Sequence, residues 1–327
     1  MSKAKVIQCT LCPKECKLYE GQKGDCRVRI HLDGKLNTLV YGRPCAVHVD
    51  PIEKKPVYHV LPGSAAFSIA TAGCNLHCKF CQNWEISQKD AEETTNFNMP
   101  PRDVVNNALS SGSKSIAYTY SEPNVFYEYV LDTAKLAKKA GLKNIIISAG
   151  YINPEPLKEI SEFIDVYKVD LKAFNDKFYQ EVCSATLQPV IETLKNLKRF
   201  GVWTEIVNLI IPTLNDDLAE IRKMCQWIKT ELGNDVPVHF SQFYPQYKLK
   251  NLSPTPLETL LQSRKIAAEE GLRYVYLGNI PQGEWNNTYC PNCKNLLVER
   301  IGYFVRQVQI NSGQCKFCKF KIAGIWG

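Results

Sequence analysis

No apolar run in the sequence approaches the roughly 18 residues that span a membrane, so no membrane partner is expected. The opening residues Met1-Ser2-Lys3-Ala4-Lys5 lack the apolar core of a secretory signal. No repeat at a fixed period stands out, which argues against a stacked-repeat architecture, and no low-complexity tract is present. Strong charge is missing too. The net +7 is mild for 327 residues and permits an acidic partner without arguing for one. The interleaving of aromatic and basic residues that marks a nucleic-acid surface is absent, so no nucleic-acid partner is expected. What is present is ordinary globular material, 45% apolar and 22% charged, enough for one large domain or two to three smaller ones. Fourteen cysteines are the exception. Clustered C-x-x-C pairs without a secretion signal read as metal sites in a reducing cytoplasm, and a cytoplasmic protein is expected.

Three of those cysteines stand in Cys74-Asn75-Leu76-His77-Cys78-Lys79-Phe80-Cys81, spaced C-x3-C-x2-C after an apolar run at 67–72. Gly73 marks a sharp turn between the two. Three thiolates on one short loop can hold three irons of a 4Fe-4S cluster. A fourth cysteine at ferredoxin spacing is missing, which leaves one iron open to a non-protein ligand. Binding S-adenosylmethionine through its amino and carboxylate groups, and cleaving it reductively, requires such an iron. The other reading is a zinc knuckle completed by His77. Zinc pairs, however, normally keep C-x2-4-C spacing with a second pair elsewhere.

Taken in order, the chain divides into three expected units. Residues 1–50 hold Cys9, Cys12, Cys16 and Cys26 in a Gly- and Lys-rich segment that a metal would organise. Zinc is the default ion for four thiolates, and a second iron–sulfur cluster is the alternative. Alternating residues on either side of Asp33-Gly34 predict a hairpin. Cys45 and His48 read as packed residues, with a ligand role as the alternative. Residues 51–283 open with a Pro- and Lys-rich connector and then alternate β-like and helix-like stretches. Strands are predicted at 115–120, 144–148, 166–172, 203–211, 236–243 and 273–277 after the one at 67–72. Helices are predicted at 124–140 and at 256–270, the second with Ser253 or Thr255 as its cap and Gly271 as its end. The fold class is α/β, a partial (β/α) barrel of about six parallel units. Residues 284–327 carry Cys290-Pro291-Asn292-Cys293 and Cys315-Lys316-Phe317-Cys318, a zinc-ribbon or rubredoxin-like module holding zinc or iron.

In a parallel β/α barrel the chemistry gathers at the C-terminal ends of the strands. Cys74 to Cys81, Ser121-Glu122-Pro123, Asp170-Leu171-Lys172, residues 212–216 and His239 all fall at or near that face. A zwitterionic methionine moiety needs an acceptor for its ammonium, which Glu122 offers, and a cation for its carboxylate, which Lys172 offers. Asp170 and His239 can bind ribose or hold Lys172, and Phe80 can lie against adenine. Each has a plainer reading. Glu122 and Asp170 could cap helices or pair with lysines, His239 could be a satisfied core histidine, and Lys172 could sit in a solvated rim pair. Tyr118, Tyr120, Tyr151 and Tyr244 could line the cavity or the core. Cys183 and Cys225 read as packing residues, with a radical or resolving role for Cys183 as the alternative.

The chain resembles the activating-enzyme branch of the radical-SAM superfamily, related to pyruvate formate-lyase activating enzyme. Within it the chain is most similar to the radical-SAM member of the AmmeMemoRadiSam system. The resemblance rests on Cys9-Thr10-Leu11-Cys12-Pro13, Pro51-Ile52-Glu53-Lys54-Lys55-Pro56, the cysteine loop with Gln82-Asn83-Trp84, and the last forty residues. It implies an enzyme whose 4Fe-4S cluster, on Cys74, Cys78 and Cys81, turns S-adenosylmethionine into a hydrogen-abstracting radical. A flavodoxin- or ferredoxin-like electron donor and a protein substrate or AmmeMemoRadiSam partner are implied with it. Glu122 matches the last position of the branch's Gly-Gly-Glu, Asp170-Leu171-Lys172 its Asp-Leu-Lys, His239 its late-strand His and Asn83 the Asn after its cysteine loop. Ile147-Ser148-Ala149-Gly150 departs from its Asp-Thr-Asn-Gly, which puts a cation site in doubt. The competing function is a zinc-stabilised barrel that binds protein or nucleic acid without radical chemistry.

Overall fold

The computed structural model describes residues 6–280 and 283–327. Its centre is an eight-stranded sheet whose spatial order follows the chain. The strands are β1 (Ala46–Pro51), β2 (Ala65–Ala70), β3 (Ser115–Tyr118), β4 (Lys143–Ser148), β5 (Val166–Asp170), β6 (Trp203–Ile210), β7 (Val238–Gln242) and β8 (Val275–Gly278). Strands β2 to β8 run parallel, and β1 pairs antiparallel with β2 along its whole length. Helices α1 (Pro101–Ser110), α2 (Tyr127–Lys139), α3 (Pro154–Ser161), α4 (Gln188–Phe200), α5 (Leu218–Trp227) and α6 (Leu257–Glu269) fill the crossovers. Six strand–helix units and a seventh parallel strand result. β1 and β8 end the row, so the sheet is open, as the repeating pattern implies.

Both faces of the sheet are buried, as parallel strands between crossovers require. Phe67, Ile116, Ile146, Val169, Ile206 and Phe240 belong to the large core beneath the helices. Their neighbours Ala66, Ala117, Ile145 and Val166 pack on the other face against Ile52, Val57 and Val60 from the Pro-rich connector. Helix α2 buries Tyr129, Val130, Ala134 and Ala137 at helical spacing, after a 3₁₀ turn at Pro123–Phe126. Gly271 ends α6 with a left-handed φ of +91°. The cap of α6 is a correction, because Pro256 occupies that position without a side-chain bond. Thr255 is instead buried, donating to the Ile210 carbonyl and accepting from the Phe243 N–H.

The expected hairpin is present, with Arg29–Leu32 paired to Lys35–Thr38 and Asp33 and Gly34 both at positive φ. At the other end β9 (Thr288–Tyr289), β10 (Leu296–Ile301) and β11 (Phe304–Val308) form a small antiparallel sheet. Arg300 fastens it to the connector. Its guanidinium donates to the Tyr58 carbonyl at 2.7 Å and to the Asn286 carbonyl and Thr288 Oγ1 at 2.9 Å, and its Nε lies 3.7 Å from Glu53. Among the described residues no helix is long and apolar enough to cross a membrane.

Candidate active site

β2 delivers the chain to Gly73, whose φ of +90° turns it sharply into the cysteines. A Cβ there would stand 2.5 Å from the Cys26 carbonyl oxygen and 2.6 Å from Val28 Cγ1, so only glycine lets this loop lie on the N-terminal segment. The loop is then tied down on several sides. The His77 and Lys79 N–H groups each donate at 2.9 Å, to the Cys183 and Val182 carbonyls, and Asn75 Nδ2 donates to the Tyr151 carbonyl at 2.8 Å. Both ring nitrogens of His77 are engaged, with Gln88 at 2.8 Å and Asp25 at 3.0 Å. The His77 bond holds Asp25 down at about 2. An imidazole used in this way does not complete a zinc knuckle.

Burial, and then the neighbouring Glu122 charge, pushes the Cys74 thiol well above its ordinary pKa. Cys78 is lowered instead, first by a hydrogen bond with the Cys183 thiol and also by Lys172. Cys81 sits 3.2 Å from the Ser87 hydroxyl. These three thiols are not gathered closely enough to share one ion. Among the described residues, only Cys290, Cys293, Cys315 and Cys318 form a group with all ligand atoms within 4.8 Å of one another. An all-cysteine set spread over one loop, with buried apolar surroundings and a nearby lysine, fits a polynuclear cluster.

Around the loop stand the other expected residues. Glu122 is buried, and its carboxylate accepts from the Ser148 hydroxyl at 2.6 Å, the Ala149 N–H at 2.9 Å and the Asn124 N–H at 3.3 Å. It therefore caps the turn at Pro123–Phe126 while facing Cys74. Ser148 and Ala149, where the sequence departs from the activating enzymes, are its partners. Asp170 ends β5 and is bracketed by Lys168 and Lys172, the latter at 3.6 Å. Burial works against the Lys172 charge, but Asp170, then Cys78 and Cys183, hold its pKa well above the usual lysine value. Lys172 Nζ lies 5.5 Å from the Phe80 ring centre, and Phe80 is buried against Phe178. Asn83 donates to the Tyr120 carbonyl at 2.9 Å. The structure thus joins Cys74, Cys78, Cys81, Phe80, Glu122, Asp170 and Lys172 in one neighbourhood, with Asn83 attached through the backbone after β3.

His239 is placed differently. It is the second residue of β7, buried, with Nε2 2.8 Å from Glu205 and its ring stacked on Tyr276. The four tyrosines scatter as well. Tyr118 donates to Asn144 in the core, Tyr120 donates to Asp50, Tyr151 meets Thr186, and Tyr244 is exposed beside Gln242. Cys45 is half-buried, His48 is exposed and Cys225 is buried in α5. Sequence reasoning missed several supports of the site. Tyr179 accepts from the Lys172 N–H at 3.1 Å, and Asn215 donates to the Lys172 carbonyl at 2.6 Å. Cys183 closes a π-helical turn at Tyr179–Cys183, a local irregularity that is frequent at functional sites. The run at 212–216 carried a signal, as a loop after a strand, and Cys183 carried one only through its alternative radical or resolving role.

At the far end of the chain, Cys290 and Cys318 are 3.6 Å apart and Cys293 and Cys315 3.7 Å apart. Thiolates held tetrahedrally on one ion at about 2.3 Å stand about 3.8 Å from each other. Asn292 and Asn295 donate to the Cys318 and Cys293 sulfurs. The four residues can hold a single metal ion.

Residues 68–228 match the family described as the Radical SAM superfamily. The chain is 43% identical over 318 residues to an uncharacterized protein of Methanocaldococcus jannaschii, covering 97% of this chain and 95% of that one. It is 28% identical over 213 residues to the pyruvate formate-lyase-activating enzyme of Clostridium pasteurianum, covering 60% of this chain and 87% of the relative. Among solved structures, a radical SAM methyltransferase from Sphaerobacter thermophilus aligns with a TM-score of 0.53 at 14% identity over 66% of each chain. Streptococcus suis SuiB aligns at 0.52 and 12%, covering 69% of this chain and 51% of that one. At such identities these likenesses are of fold. The chain belongs to the radical SAM superfamily, with relatives named as pyruvate formate-lyase-activating enzymes, and it is an enzyme with radical-SAM chemistry.

Proposed function

We propose that Cys74, Cys78 and Cys81 hold a 4Fe-4S cluster with one iron open to S-adenosylmethionine, and that the enzyme directs the resulting radical at a polypeptide. The observation that carries this reading is the three-thiol loop, spread too widely for one ion, set against Glu122, Asp170 and Lys172. When bound, the cluster supplies the electron that splits S-adenosylmethionine into methionine and a 5′-deoxyadenosyl radical, which then takes a hydrogen atom from the substrate. The chain's own residues bind and orient. Lys172, kept charged by Asp170, meets the methionine carboxylate. A carboxylate has about four lone-pair positions, and Glu122 uses three, which leaves one for the methionine ammonium. Asp170 reaches the ribose, and Phe80 gives adenine an apolar wall beside Lys172. Asn83 steadies the backbone before Glu122. His239 supports the interior below through Glu205.

The polypeptide substrate and a flavodoxin- or ferredoxin-like donor follow from the likeness to activating enzymes, and the AmmeMemoRadiSam partner from the sequence resemblance. Residues 1–50, 51–283 and 284–327 are taken as three units of a cytoplasmic protein, the last holding zinc. Family membership disfavours a binding barrel without radical chemistry. In the anaerobic protein with dithionite and S-adenosylmethionine, 5′-deoxyadenosine should form in the wild type and be undetectable in Cys74→Ala. Undiminished product from the variant would overturn the reading.

A further inference from the structure

Four more cysteines converge beside the active-site loop. Cys9, Cys12, Cys16 and Cys26 line one cavity together with Arg29 and Asn75. They do not show the spacing of a single-ion site. The C-terminal thiols do, at 3.6 and 3.7 Å, close to the roughly 3.8 Å edge of a tetrahedron with about 2.3 Å metal–sulfur bonds. Among the described residues, no three of the N-terminal thiols lie within 4.8 Å of one another. In this they behave like Cys74, Cys78 and Cys81.

One residue lining the cavity carries a donor that nothing in the chain satisfies. Arg29 lines it, is 6% exposed, and gives both terminal nitrogens to Glu128 at 2.8 Å. Its Nε has no partner. Leaving a buried donor unpaired is unfavourable, so Arg29 fits an acceptor brought from outside, such as an inorganic sulfide. A further donor already reaches one of the thiols. The Asp25 N–H lies 3.4 Å from the Cys16 sulfur, and Asn75 lines the cavity with Cys12. Hydrogen bonds of this kind to sulfur are a protein's means of tuning an iron–sulfur centre.

We infer that Cys9, Cys12, Cys16 and Cys26 bind a second 4Fe-4S cluster, one thiolate to each iron, in place of the zinc ion their composition first suggests. The site abuts the first. Asn75 follows Cys74 directly, and Gly73 is packed on the Cys26 carbonyl. The assignment does not depend on what Cys74, Cys78 and Cys81 hold.

The test is an iron and acid-labile sulfide count on the full chain after anaerobic reconstitution, with EPR of the reduced protein. A Cys74→Ala/Cys78→Ala/Cys81→Ala variant should keep about four irons and four sulfides per chain, with a signal that ignores S-adenosylmethionine. A Cys12→Ser/Cys16→Ser variant should lose about four irons relative to the wild type. This second variant keeps the inference testable if the first does not fold. A triple variant that folds but holds no iron, or a double variant with the wild-type iron count, would overturn it.

Discussion

Glu205 is fully buried and accepts from the Tyr58 N–H at 3.0 Å and the His59 N–H at 2.8 Å, while pairing with His239. Burial opposes its charge, yet His239 and His59 keep its pKa below the usual range. None of this was legible beforehand, because the partners lie 146 and 147 residues away in the chain. Separation in the chain also hid the pairing of Cys183 with Cys78, whereas Asp170 and Lys172 stand two residues apart and could be read as a pair. His59 shows what burial does to a single group. Its nitrogens lie 2.6 Å from the Ala323 carbonyl and 2.6 Å from the Tyr276 hydroxyl, and burial lowers its pKa to about 4. The unfolded chain, near 6.5, takes up a proton before the folded one does. Stability is therefore fullest above pH 6.5 and falls as pH drops from 6.5 toward 4. The full shift corresponds to roughly 3 kcal/mol. The thermal midpoint of the wild type should fall more steeply with acid over that window than the midpoint of His59→Asn, and parallel profiles would refute this.

At the scale of elements, period and punctuation placed the parallel strands and α2 and α6 close to their observed bounds. β1 was not foreseen. It is an edge strand with His48 and Val49 exposed side by side, so its side chains carry little alternation. The cap of α6 was missed because Thr255 serves β6 and β7 instead, a tertiary use that local sequence does not encode. The C-terminal sheet was legible from its strands and knuckles, but its attachment was not. Arg300 and Glu53 are both fully buried in side-chain terms, and Arg300 also covers the Tyr58 ring. Arg300→Met would leave the Glu53 carboxylate buried without its cation, a loss of about 3–5 kcal/mol. Arg300→Lys should not restore it, because a point charge cannot reach three acceptors at once. Thermal unfolding of both variants checks this, and a loss below about 1 kcal/mol for Arg300→Met would contradict the proposed anchoring.

Across the whole molecule, three thiol sets sort by geometry. The C-terminal set is compact, and the other two are open and adjacent. Spacing alone identified the Cys74 loop and the C-terminal knuckles, since each pattern is local. It could not separate zinc from a cluster at Cys9, Cys12, Cys16 and Cys26, because that distinction lies in how far apart folding holds the sulfurs. The polar groups around the loop come from the ends of β3 and β5 and the turns beyond them, where a parallel sheet of this kind exposes its chemistry. The central claim is that the open iron at Cys74, Cys78 and Cys81 takes S-adenosylmethionine. EPR of the dithionite-reduced protein, recorded before and after adding S-adenosylmethionine with Cys74→Ala as control, tests it most directly. The account predicts an iron–sulfur signal that changes on addition in the wild type and does not change in the variant. A wild-type spectrum identical with and without S-adenosylmethionine would contradict it.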